Sequence, residues 1–230
     1  MAATGEPSSP PTSPSTSTPQ RQYVKRYTLV RKLMSKNYEW LLHDGSDDPN
    51  PKVTTPTYII NPSTFTWGKP ALTLHDGPDD KPSSSPVVGC AWIFSTRPHK
   101  LGLGDCVNAP QDVRWEEMRQ ETFRASEFSL GMSLPTTGGG HARVDFRWKR
   151  TSHHAVDGKK ARAWSGRNWK LLISTDGDGG IGDTAKDDIV AVFTSSPGIT
   201  TVFGTLQINV DWGVDFERML LLSITLLYEV

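Results

Sequence analysis

Asp215-Phe216-Glu217-Arg218-Met219-Leu220-Leu221-Leu222-Ser223-Ile224-Thr225-Leu226-Leu227-Tyr228-Glu229-Val230 is the stretch on which the fold turns. From Met219 to Tyr228 only Ser223 and Thr225 interrupt the apolar side chains. In a helix, apolar groups would therefore point in every direction. Such a helix must be surrounded, by protein or by lipid. Crossing a bilayer takes roughly 20 apolar residues, whereas a run of about 10–14 is more often a buried core helix. The run also lacks the basic flanks of a membrane anchor. A buried strand is the third option, since Ile, Thr, Tyr and Val suit strands. Length, five leucines and a methionine favour the buried helix over residues 215–230. Asp215 is placed to cap it, and Glu217 in the first turn suits its positive end.

Upstream, strand-like runs alternate with turns. Val144-Asp145-Phe146-Arg147-Trp148-Lys149 alternates cleanly. Val144, Phe146 and Trp148 should face a core, and Arg143, Arg147 and Lys149 the outside, with Asp145 among them. Residues 201–210 alternate too. Residues 87–95 and 189–194 read as buried strands, and 23–34, 37–43, 57–60, 71–75 and 168–174 as further strands. A short strand fits residues 161–164. Residues 97–110 read as loop. Residues 112–126 are ambiguous: Trp115, Met118 and Thr122 share a helical face, while 123–130 look like a strand. Residues 135–140 are a Gly-rich linker.

Roughly ten strand-like runs precede one apolar helix. Mainly β architecture follows, as a closed antiparallel β-barrel of roughly 10–12 strands, because closure removes exposed edges. A barrel of that size has an interior to fill. At about 1.5 Å per residue, the terminal helix spans roughly 24 Å, about the height of such a barrel.

The 230 residues carry 25 Lys+Arg and 25 Asp+Glu, so formal net charge is zero. No global field draws the chain to nucleic acid or membrane. Charge is segregated locally: residues 21–36 carry Arg21, Lys25, Arg26, Arg31, Lys32 and Lys36 without an acid. Residues 176–188 carry Asp176, Asp178, Asp183, Asp187 and Asp188 against Lys186 alone. No apolar segment after Met1 resembles a signal peptide. An intracellular setting is expected, cytoplasmic or peripheral to a membrane and not secreted. Cys90 and Cys106 would then be free thiols, with a disulfide between them as the other option. Residues 1–22 are mostly Pro, Ser and Thr and are expected to be disordered, leaving 23–230 as the folded domain. Ser9-Pro10, Ser13-Pro14 and Thr18-Pro19 fit proline-directed phosphorylation, and a solubilising tail fits the same composition.

The terminal stretch, the strand before it, Tyr38-Glu39-Trp40 with Asp44-Gly45, and Phe146-Arg147-Trp148-Lys149-Arg150-Thr151-Ser152-His153 occur here in a suggestive order. Together they resemble the tubby C-terminal-like superfamily, which takes in tubby proteins, phospholipid scramblases and LURP-one-related proteins. The segment from Phe146 to His153 is similar to the central strand of small fungal tubby-C-like proteins of unknown function. The resemblance covers about residues 23–230. It implies a barrel around the terminal helix and a non-enzymatic binding or scaffold role at anionic phospholipid or phosphoinositide. The palmitoylated Cys-rich, Pro-rich segment of scramblases has no counterpart here.

Arg143, Arg147 and Lys149, with Arg150, Lys159, Lys160 and Arg162 nearby, are the candidate ligand-binding residues. Guanidinium and ammonium groups on one face give charge-assisted hydrogen bonds to phosphate. Near an anionic membrane each contributes roughly 1 kcal/mol. An ordinary solvated strand face and loop account for the same residues. Asp176-Gly177-Asp178-Gly179-Gly180 fails the calcium-loop spacing, which wants Asp or Asn where Gly180 stands and Gly where Ile181 stands. His153 and His154, adjacent on an extended chain, point to opposite faces, so with His141 they make no metal site. Ser165 lacks a nucleophile elbow. Gly138-Gly139-Gly140 is not followed by the Lys of a phosphate loop. Cys90 reads as packing and Cys106 as a loop thiol. The eight tryptophans read as core and rim residues. No catalytic residue, cofactor or metal is assigned. A protein-interaction module and an enzyme using His141, His153 or Cys106 at a barrel mouth are the alternatives.

Overall fold

The computed structural model describes residues 24–43, 56–63, 68–77, 85–136, 139–156, 167–174, 189–196 and 201–230. The N-terminal tail, the short strand at 161–164, the acidic run, Ser165, Lys159, Lys160 and Arg162 lie outside the described residues. The strands run in chain order as β1 (Lys25–Val30), β2 (Tyr38–Leu42), β3 (Tyr58–Pro62), β4 (Leu72–Asp76), β5 (Val87–Trp92) and β6 (His99–Leu103). They continue as β7 (Arg114–Gln120), β8 (Glu127–Pro135), β9 (His141–Arg150), β10 (Trp169–Ile173), β11 (Ile189–Ser195) and β12 (Val202–Ile208). The helix α1 (Val214–Glu229) follows. Each strand pairs with its sequence neighbours, and β1 pairs antiparallel with β12 to close the barrel.

The register that closes the barrel sets Lys25 opposite Ile208 and Leu29 opposite Gly204, with an irregularity at Val30. Gly204 is small by necessity, because a side chain there would overlap the Phe193 ring. Alternation then sorts the residues: Tyr27, Leu29, Trp40, Ile60, Leu74, Ala91, Leu101, Leu130, Phe146, Trp148, Leu171, Phe193 and Leu206 point into one core. The helix fills that core, and every residue from Met219 to Leu227 is buried. Its two polar interruptions have specific partners. Trp148 Nε1 donates to Ser223 Oγ at 3.1 Å, and Trp40 Nε1 donates to Thr225 Oγ1 at 3.2 Å. Each hydroxyl in turn donates to a helix carbonyl, Ser223 to Leu220 O and Thr225 to Leu221 O. Buried indole N–H groups without acceptors would be costly, so these hydroxyls belong where they are.

Three expectations need correction. Residues 97–110 are not simply loop, because β6 turns His99, Leu101 and Leu103 inward. The ambiguous stretch at 112–126 forms β7 and a turn rather than a helix, and only Met118 of β7 reaches the core. Asp215 does not cap the helix. The chain enters through Gly213, whose φ of 87° suits a residue without a side chain, and Asp215 pairs with Arg114 from the first turn. No helix among the described residues is long and apolar enough to cross a membrane.

Candidate functional site

The β8–β9 hairpin is the best-paired part of the wall, with nine register pairs from Glu127↔Lys149 to Pro135↔His141. On its other edge β8 meets β7 over three pairs only, Gln120↔Phe128, Arg119↔Ser129 and Met118↔Leu130. Beyond Met118, residues 114–117 stay bonded to β6 and part from β8. A cleft of about 830 Å³ opens there. Trp115, Glu116, Glu117 and Arg119 form one wall, and Arg143, Asp145 and Arg147 the other. Ser129 and Gly131 form the floor. A Cβ at Gly131 would overlap Asp145 Oδ1 and the Arg143 guanidinium, so the glycine lets both side chains lie across the strand.

The outward face of β9 is as alternation requires, but it is not purely cationic. Arg143 Nη1 lies 2.9 Å from Glu116 Oε2, and Arg143 Nε lies 3.9 Å from Asp145 Oδ1. Glu127 Oε1 is 3.5 Å from Arg147 Nη1 and 3.4 Å from Lys149 Nζ. Arg119 pairs with Glu117 at 2.7 Å. Five carboxylates (Glu116, Glu117, Glu121, Glu127 and Asp145) and three guanidiniums line the cleft. Exposed pairs of this kind contribute at most about 1 kcal/mol each. A ligand carrying charges of its own can therefore exchange with them at little cost.

Arg143, Arg147 and Lys149 thus share one face, whereas Arg150 does not join them. Its guanidinium sits 5.3 Å from the centre of the Trp169 ring. Lys149 stands next to Lys170 across the β9–β10 ladder. His141 opens β9 and His153 follows its end, so a ten-residue strand separates them. At about 3.3 Å per residue that is roughly 30 Å. Cys106 lies after β6, against Cys90. The three groups named for catalysis are therefore not gathered into one site. Among the described residues no group of three His, Cys, Asp or Glu side chains could hold a metal ion. Glu116, Glu127 and Gly131, which shape the cleft, escaped sequence reasoning. Only the register of β7, β8 and β9 brings them beside Arg143 and Arg147.

A second polar cluster lies where the helix enters the barrel. Buried Glu217 accepts hydrogen bonds from Tyr27 Oη at 2.5 Å and Tyr58 Oη at 3.1 Å, and it pairs with Lys25. Burial, then Glu217 itself, holds the Tyr27 phenol well above its ordinary value. Burial and the charge of Glu217 push Tyr58 up to about 12. Arg218 reaches Asp76 at 2.5 Å. Tyr27, Tyr58 and Glu217 are all enclosed, so they fix the helix in the barrel rather than face a ligand.

No protein-family model, curated protein or solved structure matches the chain. The functional reading therefore rests on the cleft and its chemistry.

Proposed function

We propose that the domain acts by binding, and that the β7–β8 cleft takes an extended polypeptide segment bearing charges of both signs. The observation that carries this is the early end of the β7–β8 ladder at Met118↔Leu130, beside walls of mixed charge. Strand edges offer backbone N–H and C=O groups to an added chain, and flanking side chains then select its sequence. Arginine and carboxylate pairs supply the selecting contacts. The test is selection of peptides from a charged random library on the immobilised domain, followed by mapping of amide shifts. Shifts confined to residues 114–119 and 129–147 support the proposal. Shifts centred elsewhere, or no enrichment, overturn it.

A second reading places an anionic phospholipid headgroup on the outer face of β9 and β10. The adjacency of Lys149 and Lys170, with Arg147 on the same face of β9, supports it. Flotation with phosphoinositide-containing vesicles should then exceed flotation with neutral ones and fall in an Arg147→Ala/Lys149→Ala variant. Equal flotation of both proteins removes the face as a lipid site. Kinship with the tubby C-terminal-like superfamily is part of the same proposal. The closed barrel around its helix is in keeping with it, although a fold by itself assigns no ligand.

A further inference from the structure

Independently of the cleft, the outer surface of β5 carries a second chemical feature. Gly89 and Ala91 face inward: a Cβ on Gly89 would overlap Leu222, and Ala91 belongs to the core. Cys90, between them, points outward, yet it is 0 % exposed. Its neighbour across the ladder is Gly102, whose missing side chain leaves room for Val113 and Trp115. The chain just past β6 lies over it. Gly104, with φ of 127°, ends β6 while its N–H donates to Val88 O at 3.0 Å. Asp105 then accepts the N–H groups of Val107 and Asn108, both at 2.9 Å, and the Asn108 side-chain amide at 2.7 Å. This turn holds Cys106 partly exposed, with its thiol neighbouring that of Cys90.

We infer that Cys90 and Cys106 form a dithiol that a hydroperoxide oxidises to an intramolecular disulfide, with Cys106 the sulfur oxidised first. The two positions differ in the way such a pair requires. Cys106 has access to solvent, and the Cys90 thiol beside it lowers its pKa from the ordinary value. The thiolate is the reactive form. Cys90 is enclosed, and the neighbouring Cys106 together with burial keeps it protonated. In the first step Cys106 thiolate attacks one peroxide oxygen. An S–O bond forms, the O–O bond breaks, and the departing alkoxide or hydroxide takes a proton. Cys106 becomes a sulfenic acid. In the second step Cys90 sulfur loses its proton and attacks Cys106 sulfur. The S–S bond forms, the S–O bond breaks, and water leaves. Two thiols supply the two electrons that reduce the peroxide. The product ties β5 covalently to the turn after β6.

The experiment is treatment of the full chain with stoichiometric hydrogen peroxide, followed by intact-mass measurement and non-reducing peptide mapping. The expected result is loss of two hydrogens, a peptide linking Cys90 to Cys106, and full reversal by dithiothreitol. Cys90→Ala should lose the link and accumulate a dimedone-reactive Cys106, and Cys106→Ser should lose both. Should Cys90→Ala fail to fold, the wild-type map still decides. Addition of oxygen at Cys106 without a link, a disulfide between chains, or an unchanged mass overturns the inference.

Discussion

Arg143 reaches from β9 across β8 to place Nη1 2.9 Å from Glu116 Oε2 on β7. It bridges the gap where backbone pairing has stopped, and the absent side chain of Gly131 leaves room for it. Gly131→Ala should therefore be a probe of the cleft rather than of the fold. The atoms nearest the new methyl are the ends of the Asp145 and Arg143 side chains, which can swing aside. Loss of exposed ion pairs costs at most about 1 kcal/mol. Chemical denaturation should show a small change, while peptide binding falls sharply. A large loss of stability would mean that the strand itself cannot accommodate the methyl.

Ser223→Ala should remove the acceptor of the Trp148 indole N–H in a fully buried setting. Leaving a buried donor unpaired costs about 1–3 kcal/mol. Thr225→Val should do the same for Trp40. The two hydroxyls serve different tryptophans, so the double variant should lose about the sum. Urea midpoints of the single and double variants measure this.

Glu217→Ala should destabilise more, by roughly 2–5 kcal/mol, since two buried phenols and a lysine lose one acceptor together. Tyr58→Phe removes only one bond and should cost about 1 kcal/mol. Because Tyr27 and Tyr58 hold their protons more tightly when folded, the folded state binds more protons than the unfolded chain at alkaline pH. This contribution is complete below the ordinary tyrosine pKa of about 10 and is lost as pH rises above it. Melting temperature should fall across that range, and less steeply in Tyr58→Phe.

His99 acts at the acid side. Its Nδ1 accepts the Phe94 N–H at 3.2 Å, and burial lowers its pKa. Below about pH 6.5 the unfolded chain takes up the proton first, so stability falls with pH until the folded imidazole is protonated too. His99→Gln should flatten the melting temperature between neutral and mildly acidic pH. An unchanged slope would assign the acid sensitivity to other groups.

What was legible in the sequence follows from periodicity. The alternation Val144, Phe146, Trp148 placed β9 correctly, and apolar residues on all sides of the terminal helix required an enclosing wall. In β6, Lys100 and Gly102 sit between inward His99, Leu101 and Leu103, and a histidine and a glycine hid the pattern. In β7 and the turn after it, Trp115, Met118 and Thr122 fit a helical period by coincidence. The residues that could have shown alternation face a cleft instead of the core. The basic row on β9 was visible, but its neutralising acids belong to other strands. Glu116 and Glu127 meet Arg143, Arg147 and Lys149 only through a register that no local pattern encodes.

The order of elements carries a consequence for biogenesis. All twelve strands among the described residues precede the helix they enclose, so a ribosome delivers the wall before its filling. Until α1 emerges, the indole N–H groups of Trp40 and Trp148 lack their acceptors, and the seam joining β1 to β12 has nothing to close around. Such distant pairing is slow to form and leaves sticky surface exposed meanwhile. The order of the chain therefore favours closing of the wall after its filling has been made.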